Sequence, residues 1–146
     1  MPKLYVDANP STVAYILDGG GSGYQDLPIG YTSMEAEYMA VIYGLNEYFL
    51  KWNKELDSRY SNINPQTQNL EDKIGTPSDR TVRPLPPPIL VCSDNEVVVK
   101  QLSRQYHISN PRLRKLAQSV WQMTQNIEIK FEWVPRKENP AGNMLK

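Results

Sequence analysis

The chain has 146 residues with 16 basic and 16 acidic side chains, so its formal net charge is zero, and 40% of it is hydrophobic. That length fits one domain with a single covered core and excludes wholesale disorder, and the balanced charge argues against gripping nucleic acid or an anionic membrane by bulk positive charge. One cysteine, Cys92, excludes a disulfide framework or a cysteine-rich zinc site, and the lone His107 excludes any site built from two histidines. Chemistry, if there is any, must rest on carboxylates. No apolar run approaches the roughly 20 residues of a membrane span, and Met1-Pro-Lys-Leu4 lacks the shape of a secretory signal. The expected location is cytoplasmic, with no membrane partner.

In chain order, Leu4-Tyr-Val6 is a short apolar run ending at Asp7, followed by the Asn9-Pro10 turn. Thr12 to Leu17 is rich in β-formers, and Gly19-Gly-Gly-Ser-Gly23 turns into a third strand expected near Tyr24 to Tyr31. Short connections of this kind read as an antiparallel meander. The glycine run lacks the Gly-Lys-Ser/Thr ending of a phosphate loop and reads as a hairpin turn. Thr32-Ser-Met-Glu35 fits a capping box, with Thr32 as N-cap and Glu35 reaching back to the cap amide. Ala40, Val41, Gly44, Leu45, Tyr48 and Trp52 then recur at helical spacing as a buried face, with Glu37 one turn up on the same side.

The next stretch breaks this pattern. Of 12 prolines, half fall between Pro65 and Pro88, and residues 54–88 read as Asn, Gln, Ser, Pro and charge. Neither flank can bury a core alone, so 1–146 is expected to be one domain with 54–88 as a Pro/Asn-rich insertion, a possible surface for a protein partner. Beyond it, Ile89-Leu-Val-Cys92 suits a central strand covered on both faces, ending at Ser93-Asp94. A helix through Val97, Val98 and Leu102 breaks around Ser109, with Asp94 as its expected cap. Asn110-Pro111 opens another, carrying Leu113, Leu116, Ala117, Val120 and Trp121. Ile127 to Trp133 alternates as a half-buried strand. The order β-β-β-α-(insertion)-β-α-α-β places the first and fourth strands parallel at the centre.

That topology brings Asp7 and Asp94 to the same sheet edge, where the helix carrying Glu37 also begins. Clustered carboxylates repel unless a cation neutralises them, and hard oxygen ligands suit Mg²⁺ or Mn²⁺. Paired ions of this kind can cleave a phosphodiester.

Asp7, the helix Thr32-Ser-Met-Glu-Ala-Glu-Tyr-Met-Ala-Val-Ile-Tyr-Gly-Leu45, the segment Ser93-Asp-Asn-Glu-Val-Val-Val-Lys-Gln-Leu102 and the ending Trp133-Val-Pro-Arg-Lys-Glu-Asn139 together resemble ribonuclease H type 1. The resemblance spans the chain except 54–88. It implies an α/β, RNase H-like fold: a five-stranded mixed sheet, order 3-2-1-4-5, flanked by helices, with the long insertion between the first helix and the fourth strand. It implies a metal-dependent endoribonuclease that cleaves the RNA strand of RNA–DNA hybrids with two divalent ions, Mg²⁺ or Mn²⁺. Asp7 would bridge both ions, Glu37 and Asp94 would complete one site, and Asn143 stands where the family has its fourth carboxylate. Thr32, Ser33, Asn95, Glu96 and Arg136 fall where the family meets its nucleic acid, the hybrid being read by shape and 2′-hydroxyls.

The chain also departs from the family. Asn139-Pro-Ala-Gly-Asn143 offers an amide for the fourth acid, or Gly142 if the register shifts by one, and Arg136 lies near the missing catalytic-loop histidine. An alternative expectation follows: a catalytically weakened domain used for nucleic-acid binding or assembly. An exonuclease on the same fold is disfavoured, because Asp7 is followed by Ala8 and Asn9 rather than by Asp-x-Glu's second acid. Charge is unevenly spread: residues 1–53 carry a net −4 and residues 89–146 a net +4. In the latter block Lys100, Arg104, Arg112, Arg114 and Lys115 form a candidate phosphate-tracking patch. His107 reads as a surface residue. For Tyr24, Tyr31 and Trp133, packing roles are favoured over base stacking.

Overall fold

The computed structural model describes residues 1–61 and 85–145. Lys3–Asn9 (β1), Thr12–Leu17 (β2) and Ser22–Asp26 (β3) form the antiparallel meander; Ile89–Ser93 (β4) lies parallel to β1, and Ile129–Trp133 (β5) parallel to β4. The sheet order is β3-β2-β1-β4-β5, as expected. Ser33–Ser61 (α1) packs on β1 and β2, Glu96–Leu102 (α2) on β4 and β5, and Pro111–Met123 (α3) against α1. Two 3₁₀ segments, Arg136–Glu138 and Pro140–Leu145, end the chain, the second lying against β1 and β2.

The capping box sets where α1 begins. Glu35 N–H donates to Thr32 Oγ1 at 3.1 Å, and Thr32 N–H donates to Glu35 Oε1 at 3.0 Å. The helix then buries Ala36, Ala40, Val41, Leu45, Tyr48 and Leu56, while Trp52 is only half-buried. Gly44 lets α1 close on the sheet: a Cβ there would stand 3.0 Å from the Leu4 side chain. Leu4, Leu45 and Ile89 are fully buried, each contributing about 2 kcal/mol of apolar burial. Tyr38, also fully buried, closes α1 on α2 through its hydroxyl, which donates to Gln101 Oε1 at 2.6 Å. In β4, Ile89, Val91 and Cys92 are all buried, which is the covered central strand expected from its unbroken apolar run.

Some boundaries differ from the expectation. β3 ends at Asp26, because Leu27 N–H turns to Ser11 O (2.8 Å), Pro28 has no N–H to give and Gly30 sits at φ +117°. β5 starts at Ile129, since Ile127 N–H is taken by Thr124 O at the end of α3. Asn95, not Asp94, caps α2: its Oδ1 accepts from Val98 N–H at 3.1 Å. Asn110 caps α3 as expected, with Pro111 at the first turn. Helix α2 stops at Leu102, earlier than Ser109, and the chain leaves it through Arg104 at φ +64°. Residues 54–61, the head of the expected insertion, continue α1. Leu85 to Pro88 re-enter the sheet, Tyr48 hydroxyl donating to Pro87 O at 2.6 Å. The rest of that stretch, with the partner surface expected there, lies outside the described residues.

Candidate metal centre

Parallel pairing of β1 with β4 ends both strands at one sheet edge, and the first turns of α1 arrive at that edge. Asp7, Glu37 and Asp94 converge there, with one carboxylate oxygen of each within 4.8 Å of the others. Asp7 and Glu37 are buried and Asp94 half-buried. Burial, then the charges of Asp7 and Asp94, push the Glu37 carboxyl from its usual 4.5 up to about 9. Burial and Asp94 also raise Asp7, against the Ala8 N–H that donates to its Oδ1 at 2.9 Å and the positive charge of Arg136. Among the described residues, Glu37 Oε2 is the one buried side-chain oxygen or nitrogen without a hydrogen-bond partner. A buried orphan oxygen carries a desolvation cost that a divalent cation would relieve, and three converging hard donors suit Mg²⁺ or Mn²⁺.

Two residues that sequence reasoning did not assign to the site hold Asp94 in place. Asn139, 2% exposed, donates through Nδ2 to Val6 O at 2.9 Å and to Asp94 Oδ2 at 3.4 Å. Trp133 Nε1–H donates to Asp94 O at 3.1 Å. Both stand in the Trp133 to Asn139 motif, but only the folded chain shows which backbone and carboxylate they reach. Because Asn95 takes the cap, the Asp94 carboxylate is left to face the centre.

The other candidates lie around it. Thr32 and Ser33 are exposed at the start of α1. Asn95 is half-buried, its amide Nδ2 at 3.5 Å from Met34 Sδ, and Glu96 is exposed and paired with Lys100 at 3.1 Å. Arg136 and Asn143 are exposed and line a cleft that reaches Asp7 but neither Glu37 nor Asp94. Asn143 shares that cleft with Asp7. Gly142 lies closer: a Cβ on it would stand 2.9 Å from Asp7 Oδ2. The three acids fit one cation. On the far side of Asp7 the side-chain oxygens on offer are the amides of Asn9 and Asn143, beside Arg136 and Lys137.

The basic cluster of α2 and α3 is engaged locally. Arg112 Nε pairs with Glu35 Oε2 at 2.8 Å, Arg114 donates to Ile108 O, and Arg104 lies 4.1 Å over the Trp121 ring. His107 is exposed, as expected. Gly19, Gly20 and Gly21 all adopt positive φ in the β2–β3 hairpin, with Lys51 Nζ bonded to the Gly19 and Gly20 carbonyls. No helix among the described residues is long and apolar enough to cross a membrane.

A family described as reverse transcriptase-like matches residues 86–145. No curated protein matches the chain. Among solved structures it resembles the N-terminal RNase H domain of rv2228c from Mycobacterium tuberculosis, solved as a maltose-binding-protein fusion (20% identity, TM-score 0.62, covering 99% of this chain and 88% of that one). It also resembles RNase H1 from the halophilic archaeon Halobacterium salinarum (17%, 0.62, 99% and 91%). A third likeness is LC11-RNase H1 in complex with an RNA/DNA hybrid (15%, 0.65, 99% and 93%). Sheet order, connectivity and these likenesses assign the chain the ribonuclease H-like fold.

Proposed function

We propose that the chain is a metal-dependent ribonuclease H that cleaves the RNA strand of RNA–DNA hybrids, with Asp7, Glu37 and Asp94 holding a divalent cation, Mg²⁺ or Mn²⁺. The observation that carries this reading is the three-carboxylate cluster with its orphan Glu37 Oε2. The hybrid bound to the LC11 enzyme supports the substrate class. A divalent ion held there supplies Lewis-acid stabilisation of a phosphoryl oxygen and lowers the pKa of a bound water. The protein's part is to present Asp7 at the sheet edge, to release the Glu37 proton when a cation arrives, and to fix Asp94 through Asn139 and Trp133. Thr32 and Ser33 offer hydroxyls to the nucleic-acid backbone, and Asn95 and Glu96 stand beside the sheet edge for the hybrid's minor groove. The two-ion form, with Asp7 shared and Asn143 completing a second site, has a full donor set only on the Glu37–Asp94 side.

Asn143 favours a second reading, a weakly catalytic domain that binds or assembles. The test is cleavage of an end-labelled hybrid by the purified chain in Mg²⁺ and in Mn²⁺, with Asp7→Asn as the contamination control. Internal cuts confined to the RNA strand are expected. A folded chain that binds hybrid yet cuts it with neither ion would sink the enzyme reading in favour of the binding one.

A further inference from the structure

The cleft on the far side of Asp7 has a volume of about 730 Å³, and its polar lining is Asp7, Asn9, Arg136, Lys137 and Asn143. Asp7 is the one carboxylate in that lining, against two cationic side chains. A hard divalent ion is held through one or two carboxylates together with waters and substrate phosphates, and here its single carboxylate would stand beside two positive charges that repel it. Position 143 offers a neutral amide, and position 142 offers no side chain at all. The wall made by the Arg136–Glu138 3₁₀ turn is also fixed in place: Glu138 N–H donates to Pro135 O at 2.9 Å and Asn139 N–H to Arg136 O at 3.1 Å, while the Asn139 side chain ties the turn to β1 and Asp94. Arg136 and Lys137 are thus displayed on an ordered turn. Arg136 is near enough to Asp7 to favour its ionised form.

We infer that this cleft is a phosphate site and not a second cation site, with Arg136 presenting its guanidinium fork, Lys137 its ammonium and Asn143 an amide N–H₂. The inference rests on the reading of the acidic triad as a cation site. A cation between Asp7, Glu37 and Asp94 neutralises Asp7 from the other side and leaves the cleft net positive. Cation and phosphate then favour each other's binding reciprocally. The phosphate can come from a nucleic-acid strand or from free phosphate, and the chemistry of recognition is the same.

Mn²⁺ bound to the full chain is counted by electron paramagnetic resonance. Separately, backbone amide resonances are followed by NMR as inorganic phosphate, or a 5′-phosphorylated oligoribonucleotide, is added in Mg²⁺ and in EDTA. One bound Mn²⁺ is expected for the wild type, with phosphate shifting the amides of Ala8, Lys137 and Asn143, several-fold more weakly in EDTA. Arg136→Ala, at an exposed position, should weaken phosphate at least about tenfold. Asn143→Asp should weaken it too and admit a second Mn²⁺. Tighter binding of the oligonucleotide assigns the site to a strand phosphate, and equal affinity to free phosphate; either supports the inference. A second Mn²⁺ in the wild type that broadens the Asn143 resonance, or the absence of any phosphate shift, overturns it while leaving the triad reading intact. Phosphate shifts in EDTA without any Mn²⁺ binding would instead overturn the triad reading alone.

Discussion

Replacing Glu37 by Gln is expected to stabilise the cation-free protein. Near neutral pH the unfolded chain carries Glu37 ionised, at its usual 4.5, whereas the folded chain holds it protonated, at about 9. Folding must therefore take up a proton, at 1.36 kcal/mol for each pH unit above 4.5, or about 3 kcal/mol at pH 7. The sign follows from a raised folded pKa: stability is undiminished below 4.5, falls as pH rises, and has lost its full amount beyond 9. Gln is neutral throughout, as the protonated acid is. In EDTA at pH 7, Glu37→Gln should raise the melting temperature by roughly 10 °C for a chain of this length. The gap should shrink toward pH 4.5 and widen toward pH 9. Added Mn²⁺ should close it, because at about a hundred times its Kd a cation adds about 2.7 kcal/mol to the form that binds it. Circular-dichroism melts at several pH values, with EDTA or Mn²⁺, test all of this. A variant that melts lower than wild type in EDTA at pH 7, or a gap that ignores pH, would refute the assignment of a buried, cation-seeking Glu37.

Three further outcomes are expected. Thr32→Ala removes the acceptor of Glu35 N–H and should cost about 1 kcal/mol in urea unfolding, with Thr32→Ser restoring most of it. Asn139→Ala leaves Val6 O buried without that donor and frees the Asp94 carboxylate. A loss of about 2 kcal/mol in stability and of ten- to a hundredfold in Mn²⁺ affinity by calorimetry should follow, and unchanged affinity would show that Asn139 does not orient Asp94. Gly142→Ala drives a methyl against Asp7 Oδ2, so Mn²⁺ affinity should fall about tenfold, read by the same titration.

Much of the arrangement was legible because its signals are local. The Thr32–Glu35 box, the unbroken Ile89 to Cys92 run and the Asn110-Pro111 start each report on neighbours a few residues away, and the parallel pairing of the first and fourth strands follows from the element order by the rules of crossover connections. From that pairing Asp7, Glu37 and Asp94 could be expected at one edge, and they lie there. Long-range partners were not legible. Asn95 and Asp94 are both good caps by type, and only the geometry after β4 decides that Asn95 takes the role. Asn139 reaches Val6, far back in the sequence, and no periodicity encodes that bond. The end of β3 was missed because the apolar residues of Leu27 to Tyr31 continue after Pro28 has ended the ladder.

The split of charge along the chain takes on a physical meaning in the fold. The acidic first block holds Asp7 and Glu37, and the basic last block reaches it through the Arg112–Glu35 pair. Arg112 is spent on Glu35, the glutamate that caps α1, and Arg114 on the Ile108 carbonyl. Lys100 pairs with Glu96 on its own helix, where an exposed pair is worth well under 1 kcal/mol. Of these, the Arg112 pair braces the start of α1, the helix that carries Glu37. Arg136 and Lys137 differ because their turn abuts Asp7 itself and lines an open cleft. The centre is thus asymmetric: one face of Asp7 meets two further carboxylates, the other two cations. A second divalent ion on the other face would share Asp7 with two positive side chains. A cation on one side with a phosphate on the other satisfies the charges of both faces.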